Sequence, residues 1–328
     1  MSSATLTQPE LETLARRLRE HPNVAEKIGI YSAYSKALPS AGAIEVGDDT
    51  AAIPDGDGFL LFAAEGMIEG FIQRDPWFAG YCAVMVNLSD IAAMGGTPTA
   101  VVDVLWTHPE SQIAAEIWAG MRAASAAYNV PIVGGHTTRF SLDRTPLLAV
   151  AVLGRAKRLI TSFGARPGDV LVMAVDLRAA YRGEGTLFWN GSVGSPPERL
   201  REDLALLSQI AESGLITAGK DISNGGVPGT LAMLLATSRC GATLEMSAIP
   251  RPSGVDLAHW LLSFPSYGYL LTATPDRAEE LCSKFHARDI AASAIGKIEE
   301  GSSLVLASGN QRVPLAEIRF PDGYKHAS

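Results

Sequence analysis

Four short runs of the sequence hold residues suited to phosphate and metal chemistry: Gly47-Asp48-Asp49, Asn87-Leu88-Ser89-Asp90, Gly134-Gly135-His136-Thr137-Thr138-Arg139 and Asp221-Ile222-Ser223-Asn224-Gly225-Gly226. Asp48 and Asp49 are adjacent carboxylates just before an apolar strand, and they repel each other unless a cation lies between them. Mg²⁺ takes hard oxygen ligands, usually one or two carboxylates plus phosphate oxygens. An ordinary acidic turn has the same spelling. Asn87 and Asp90 stand three apart and share a helix face, flanked by Tyr81, Val84, Met85, Val86, Ile91 and Met94. An Asp in so apolar a helix needs a partner, or else exposure along one side.

Gly134 and Gly135 at the end of a strand would let the backbone approach an anion closely. Thr137 can donate to a phosphate, and Arg139 can pair with one through two parallel hydrogen bonds. His136 fits a donor, a metal ligand or a satisfied structural residue. The run from Asp221 opens a helix near Val227, with Ser223 or Asn224 as its cap and its free N–H groups as an anion site. A plain cap and turn would leave Asp221 without a role. Glu65 and Glu69 could add carboxylates, although a solvated acidic loop accounts for them as well. The chain has no Walker A pattern, no GxGxxG after a strand and no GxSxG elbow.

The elements that must position these runs alternate between helix and strand. Leu11, Leu14 and Leu18 mark an N-terminal helix, and a loop-like stretch follows from Ile30 to Gly47. The spacing predicts a strand over 59–64 and a helix over 78–94 stopped by Gly95-Gly96 and Pro98. Next come a strand over 99–106, a helix over 111–128, a strand over 131–133 ending in Gly134-Gly135, and a strand over 147–153. Arg166-Pro167-Gly168-Asp169 is a turn opening the second half, with a strand over 170–175 and a polar loop over 178–197. Helices over 198–213 and 227–239, a strand over 242–246, a strand over 269–273, a helix over 276–288 and a last core strand over 292–297 complete the reading. The fold class expected is α+β, as two domains, 1–157 and 158–328, sharing a cleft.

Composition narrows the functions. The 328 residues are 47% hydrophobic and 19% charged, enough apolar surface for two cores. The net charge of −8 argues against a nucleic-acid or anionic membrane surface, because both want basic patches. No apolar run is long enough for a membrane span, and the N-terminal region, with Arg16, Arg17 and Arg19 among its leucines, has no signal-peptide pattern. Cys82, Cys240 and Cys282 are widely spaced, which fits reduced thiols in a cytoplasmic protein better than a disulfide or zinc framework.

Taken in order, the four runs resemble the superfamily of aminoimidazole ribonucleotide (AIR) synthase, over about Gly47 to Lys297. Its members include thiamine-monophosphate kinase, selenophosphate synthetase, the hydrogenase maturation dehydratase and formylglycinamidine ribonucleotide synthetase. Asn87 to Gly95 and Gly47-Asp48-Asp49 are similar to the kinase, Gly134 to Thr137 to selenophosphate synthetase, and Asp221 to Gly226 to the formylglycinamidine branch. The resemblance implies an AIR synthase-like (PurM-like) fold whose N-terminal α/β domain dimerises through a β-barrel and whose C-terminal domain is also α/β. It implies ATP in the cleft, with Mg²⁺ on Asp48, Asp49, Asp90 and Asp221. Asn87, Gly134, Gly135, Thr137, Arg139 and Asn224 would lie along the nucleotide, and Asp90, His136 and Asp221 would act in catalysis.

The function expected is therefore ATP- and Mg²⁺-dependent phosphorylation or activation of a small molecule by a cytoplasmic homodimer. Kinase-like members carry Asp where His136 and Asn224 stand. Two alternatives stand beside the expected function: a thiamine-monophosphate kinase-like enzyme, against which that difference counts, and a non-catalytic nucleotide-binding partner subunit, which it favours.

Overall fold

The computed structural model describes residues 5–29 and 46–321. The stretch 30–45, expected as a loop, lies outside the described residues. The first sheet has five strands: β1 (Ala51–Asp55), β2 (Gly58–Gly66), β3 (Thr97–Thr107), β4 (Ile132–Arg139) and β5 (Leu147–Ala156). Their order is β1-β2-β5-β3-β4, with β3 and β4 parallel and the other neighbours antiparallel. A parallel pair needs a crossover, supplied here by helix α5 (Gln112–Tyr128). Helix α4 (Pro76–Ala93) lies beside α5 after the short α3 (Glu69–Arg74).

Strand alternation sorts the first sheet into two unlike faces. Leu61, Val101, Leu105, Val150 and Val152 turn inward onto α4 and α5 and are buried. Phe62, Val102, Leu147 and Leu153 are each more than a third exposed on the opposite side.

The second sheet has seven strands. They are β6 (Val170–Val175), β9 (Ala218–Asp221), β10 (Gly241–Glu245), β12 (Gly268–Ala273), β13 (Ala291–Glu299), β14 (Ser303–Ser308) and β15 (Gln311–Glu317), in the order β15-β14-β10-β13-β6-β12-β9. Helices cover both faces, so its strands are apolar on both sides. Leu171, Met173 and Val175 pack toward α1 (Gln8–Arg19) and α7 (Gly226–Ser238). Val172 and Ala174 pack toward α6 (Pro197–Ser213) and α8 (Ala278–His286). Thus α1 and α2 (Pro22–Gly29) sit in the second half of the molecule although they lead the chain.

The structure is α+β, as the alternation of elements predicts. Several details differ, and β9, α3 and a short helix over Leu257–Leu262 are not among the expected elements. The strand expected to stop at Gly134-Gly135 runs on to Arg139, because β3 continues alongside and pairs it from Val101↔Ile132 to Thr107↔Arg139. The polar loop over 178–197 contains β7 (Ala180–Tyr181) and β8 (Phe188–Asn190), which join β11 (Phe264–Pro265) in a small third sheet. Strands β14 and β15 lie beyond the expected last core strand. Among the described residues no helix is long and apolar enough to cross a membrane, and the three cysteines are free.

Candidate functional site

Three of the four sequence runs meet where the two halves touch. Helix α4 is buried on nearly every side because it is wedged between the first sheet, α5, α6 and β9. Asp90 on its last turns therefore points into protein, not water, and is only 8% exposed. Strand β9 is the edge of the second sheet and delivers Asp221 at its end, opposite Tyr269 of β12. Asp49 comes from the segment just before β1. One carboxylate oxygen from each of Asp49, Asp90 and Asp221 lies within 4.8 Å of the other two.

Such crowding is unfavourable without a cation, and the ionisation of the group reflects it. Burial, then the charges of Asp221, Asp49 and Glu65, push the Asp90 carboxyl well above the usual range. Burial and Asp49 raise Asp221 to about 7, against the opposing pull of Lys220 and Lys27. Burial raises Asp48 to about 6, with Lys220 again opposing.

Asp48, expected among the metal ligands, is engaged otherwise. Its Oδ2 accepts the Ser162 N–H at 2.7 Å, and its Oδ1 accepts the Asp49 N–H at 3.0 Å and faces Lys220 Nζ at 3.6 Å. Lys220 also donates to Asp49 Oδ1. Asp49 Oδ2 and the Thr50 hydroxyl are buried without a hydrogen-bond partner. Asn87 donates to the Ala83 carbonyl at 2.8 Å, leaving its buried Oδ1 unpartnered. Asn224 accepts from Asn23 Nδ2 at 2.6 Å, which ties the turn before α7 to α2.

The remaining run stands elsewhere. Gly134, Gly135, His136 and Thr137 line a separate hollow of about 740 Å³, together with Asp103, Trp118 and Arg122. None of the acidic trio lines it. Gly134 and His136 pair with Val102 and Val104 and so share the open face of the sheet. Gly135 pairs with Asp103, and any Cβ on it would come within 2.3 Å of Asp103 Oδ1. Arg139 ends the strand, exposed.

Two site residues escaped the sequence reading. Lys220 is 2% exposed and stands directly before Asp221 in a strand buried at every position. A lysine inside such a strand was the available signal, because a buried ammonium needs anions. Asp103 interrupts the apolar run Ala100-Val101-Val102-Asp103-Val104-Leu105, and its Oδ1 is buried and unpartnered.

The comparisons with known proteins agree with this architecture. Residues 47–156 match the family model "AIR synthase related protein, N-terminal domain", and 184–308 match "AIR synthase related protein, C-terminal domain". An uncharacterized protein from Synechocystis sp. is 50% identical over 269 residues, covering 82% of this chain and 83% of that protein. The Thermotoga maritima structure "PurL complexed with ADP" superposes with a TM-score of 0.74 at 22% identity, over 95% of this chain and 54% of PurL, so this chain spans about half of that relative. The structure "AaThiL complexed with AMPPCP and TMP" has a TM-score of 0.66 at 19% identity, over 87% of this chain and 96% of AaThiL.

Proposed function

The chain belongs to the AIR synthase related family, and from that premise we propose that it is an ATP- and Mg²⁺-dependent enzyme that phosphorylates or otherwise activates a small molecule. The carrying observation is the convergence of Asp49, Asp90 and Asp221 from three separate elements, with Asp49 Oδ2 buried and unpartnered among them. That donor set is all hard oxygen, the kind Mg²⁺ prefers. The PurL and ThiL structures with ADP and AMPPCP bring the nucleotide to this reading.

Asp49, Asp90 and Asp221 would hold the ion, which supplies positive charge against phosphate oxygens. The protein's own work is then positioning and exclusion of water, the main requirements of phosphoryl transfer. Asp48 holds Lys220 and the Ser162 backbone in place. Asn87 presents its unpartnered Oδ1 from the same helix as Asp90. Asp90→Asn is expected to abolish Mg-ATP turnover while the melting temperature stays at or above that of the wild type. Turnover at the wild-type rate in that variant would end the proposal.

We further infer a homodimer. Phe62 and Leu153 pair across β2 and β5 on the open face of the first sheet, beside the exposed Val102, and a second copy presenting the same face would cover them. On this reading Gly134, Gly135, His136, Thr137 and Arg139 reach the nucleotide as the contribution of the mate, since they line a hollow of their own. The non-catalytic reading draws on Asn224, which is tied to Asn23 and is no carboxylate. ATP titration with and without Mg²⁺ separates the two: binding without hydrolysis supports a partner subunit.

A further inference from the structure

We propose that the Lys220 ammonium stands permanently where a second cation would sit, so that the acidic centre takes one divalent ion, on Asp49, Asp90 and Asp221, and not two. The inference rests on reading the centre as a metal site. Lys220 is 2% exposed on a strand that pairs with β12, opposite Leu270, so its ammonium is held inside the protein. Its Nζ lies between two carboxylates, donating to Asp49 Oδ1 and standing 3.6 Å from Asp48 Oδ1.

The two oxygens of Asp49 thereby divide their work. Oδ1 takes the ammonium, and Oδ2, buried and unpartnered, is left for an ion shared with Asp90 and Asp221. Asp48 is more heavily engaged than Asp49 Oδ2: its two oxygens each accept a backbone N–H, from Ser162 and Asp49, and Oδ1 also faces Lys220. An ion entering between Asp48 and Asp49 would have to displace a tethered positive charge at contact distance, where repulsion in a buried site is strong. It would also take two carboxylate partners from a buried lysine, which is strongly unfavourable.

The test counts ions on the full-length protein, stripped with chelator and titrated with Mn²⁺ without nucleotide, with free Mn²⁺ read by electron paramagnetic resonance. Wild type is expected to bind one ion per chain at this centre. Lys220→Met keeps the apolar stem and removes the charge, so it is expected to bind two. Two ions on wild type, or one on Lys220→Met, would overturn the inference and leave the metal reading standing. No ion on wild type would overturn the metal reading itself. If Lys220→Met does not fold, Asp48→Asn decides: its single ion is expected to bind within about threefold of the wild-type affinity. Loss of that ion would make Asp48 a ligand and overturn the inference.

Discussion

Asp221 and Asp48 titrate where few surface carboxylates do, and the sign of the consequence is fixed by their environment. Each carboxyl is raised in the folded protein, Asp221 to about 7 and Asp48 to about 6, so the fold holds protons that the unfolded chain has already released. Stability must then fall as pH rises from the unfolded carboxylate range through those values. Chelated protein is expected to melt lower at pH 8 than at pH 5, and Asp221→Asn should flatten the trend in calorimetry. Mg²⁺ should raise the melting temperature more at pH 8 than at pH 5, because the ion favours the ionised form. At the same scale, the Ser192 hydroxyl bonds both Tyr81 and Tyr128 at 2.7 Å in a buried position. Ser192→Ala leaves two phenols short of a partner and is expected to cost about 2 kcal/mol in urea unfolding.

At the scale of elements, the acidic centre depends on how closely α4 and α5 cross. A Cβ on Gly120 would fall 1.8 Å from the Trp77 carbonyl oxygen, and one on Gly80 would fall 2.1 Å from that of Ile117. Gly120→Ala must push the helices apart and is expected to destabilise the fold by about 3 kcal/mol, seen as a lower melting temperature. The loop over 178–197 is anchored in part by Arg182, which bonds Asp75 at 2.8 Å and lies over the Phe78 ring at 4.1 Å. Asp75 is also the cap that starts α4, accepting from the Phe78 N–H. The helix limits of α4 were legible because Gly95-Gly96 ends it and its apolar run is long. The extent of β4 was not legible. Gly-Gly reads locally as a stop, and only the neighbouring β3 supplies the hydrogen bonds that carry the strand through it.

At the scale of the whole molecule, the two sets of expected site residues lie in two places within one chain. A dimer through the open sheet face reconciles them and can be tested twice. Phe62→Lys puts a charge on that face and is expected to halve the mass measured by sedimentation equilibrium. Mixing an inactive Asp90→Asn preparation with an inactive His136→Ala preparation, after dissociation and reassembly, is expected to restore about a quarter of wild-type turnover, since half the dimers are mixed and each has one intact site. No recovery would assign His136 and Asp90 to the same chain's site, or to none.

The sequence by itself determined the alternation of helices and strands that gives the α+β class, the apolar helix carrying Asp90 and the carboxylates that three separate runs contribute. Those features follow from local periodicity and from chemistry that one side chain declares alone. Only the tertiary structure decided that Asp48 serves Lys220, that Asp49 keeps one oxygen open and that the glycine pair belongs to another hollow. Each of those depends on groups distant along the chain, Asp49 and Lys220 being 171 residues apart, and pairings of that kind leave no mark on either local spelling.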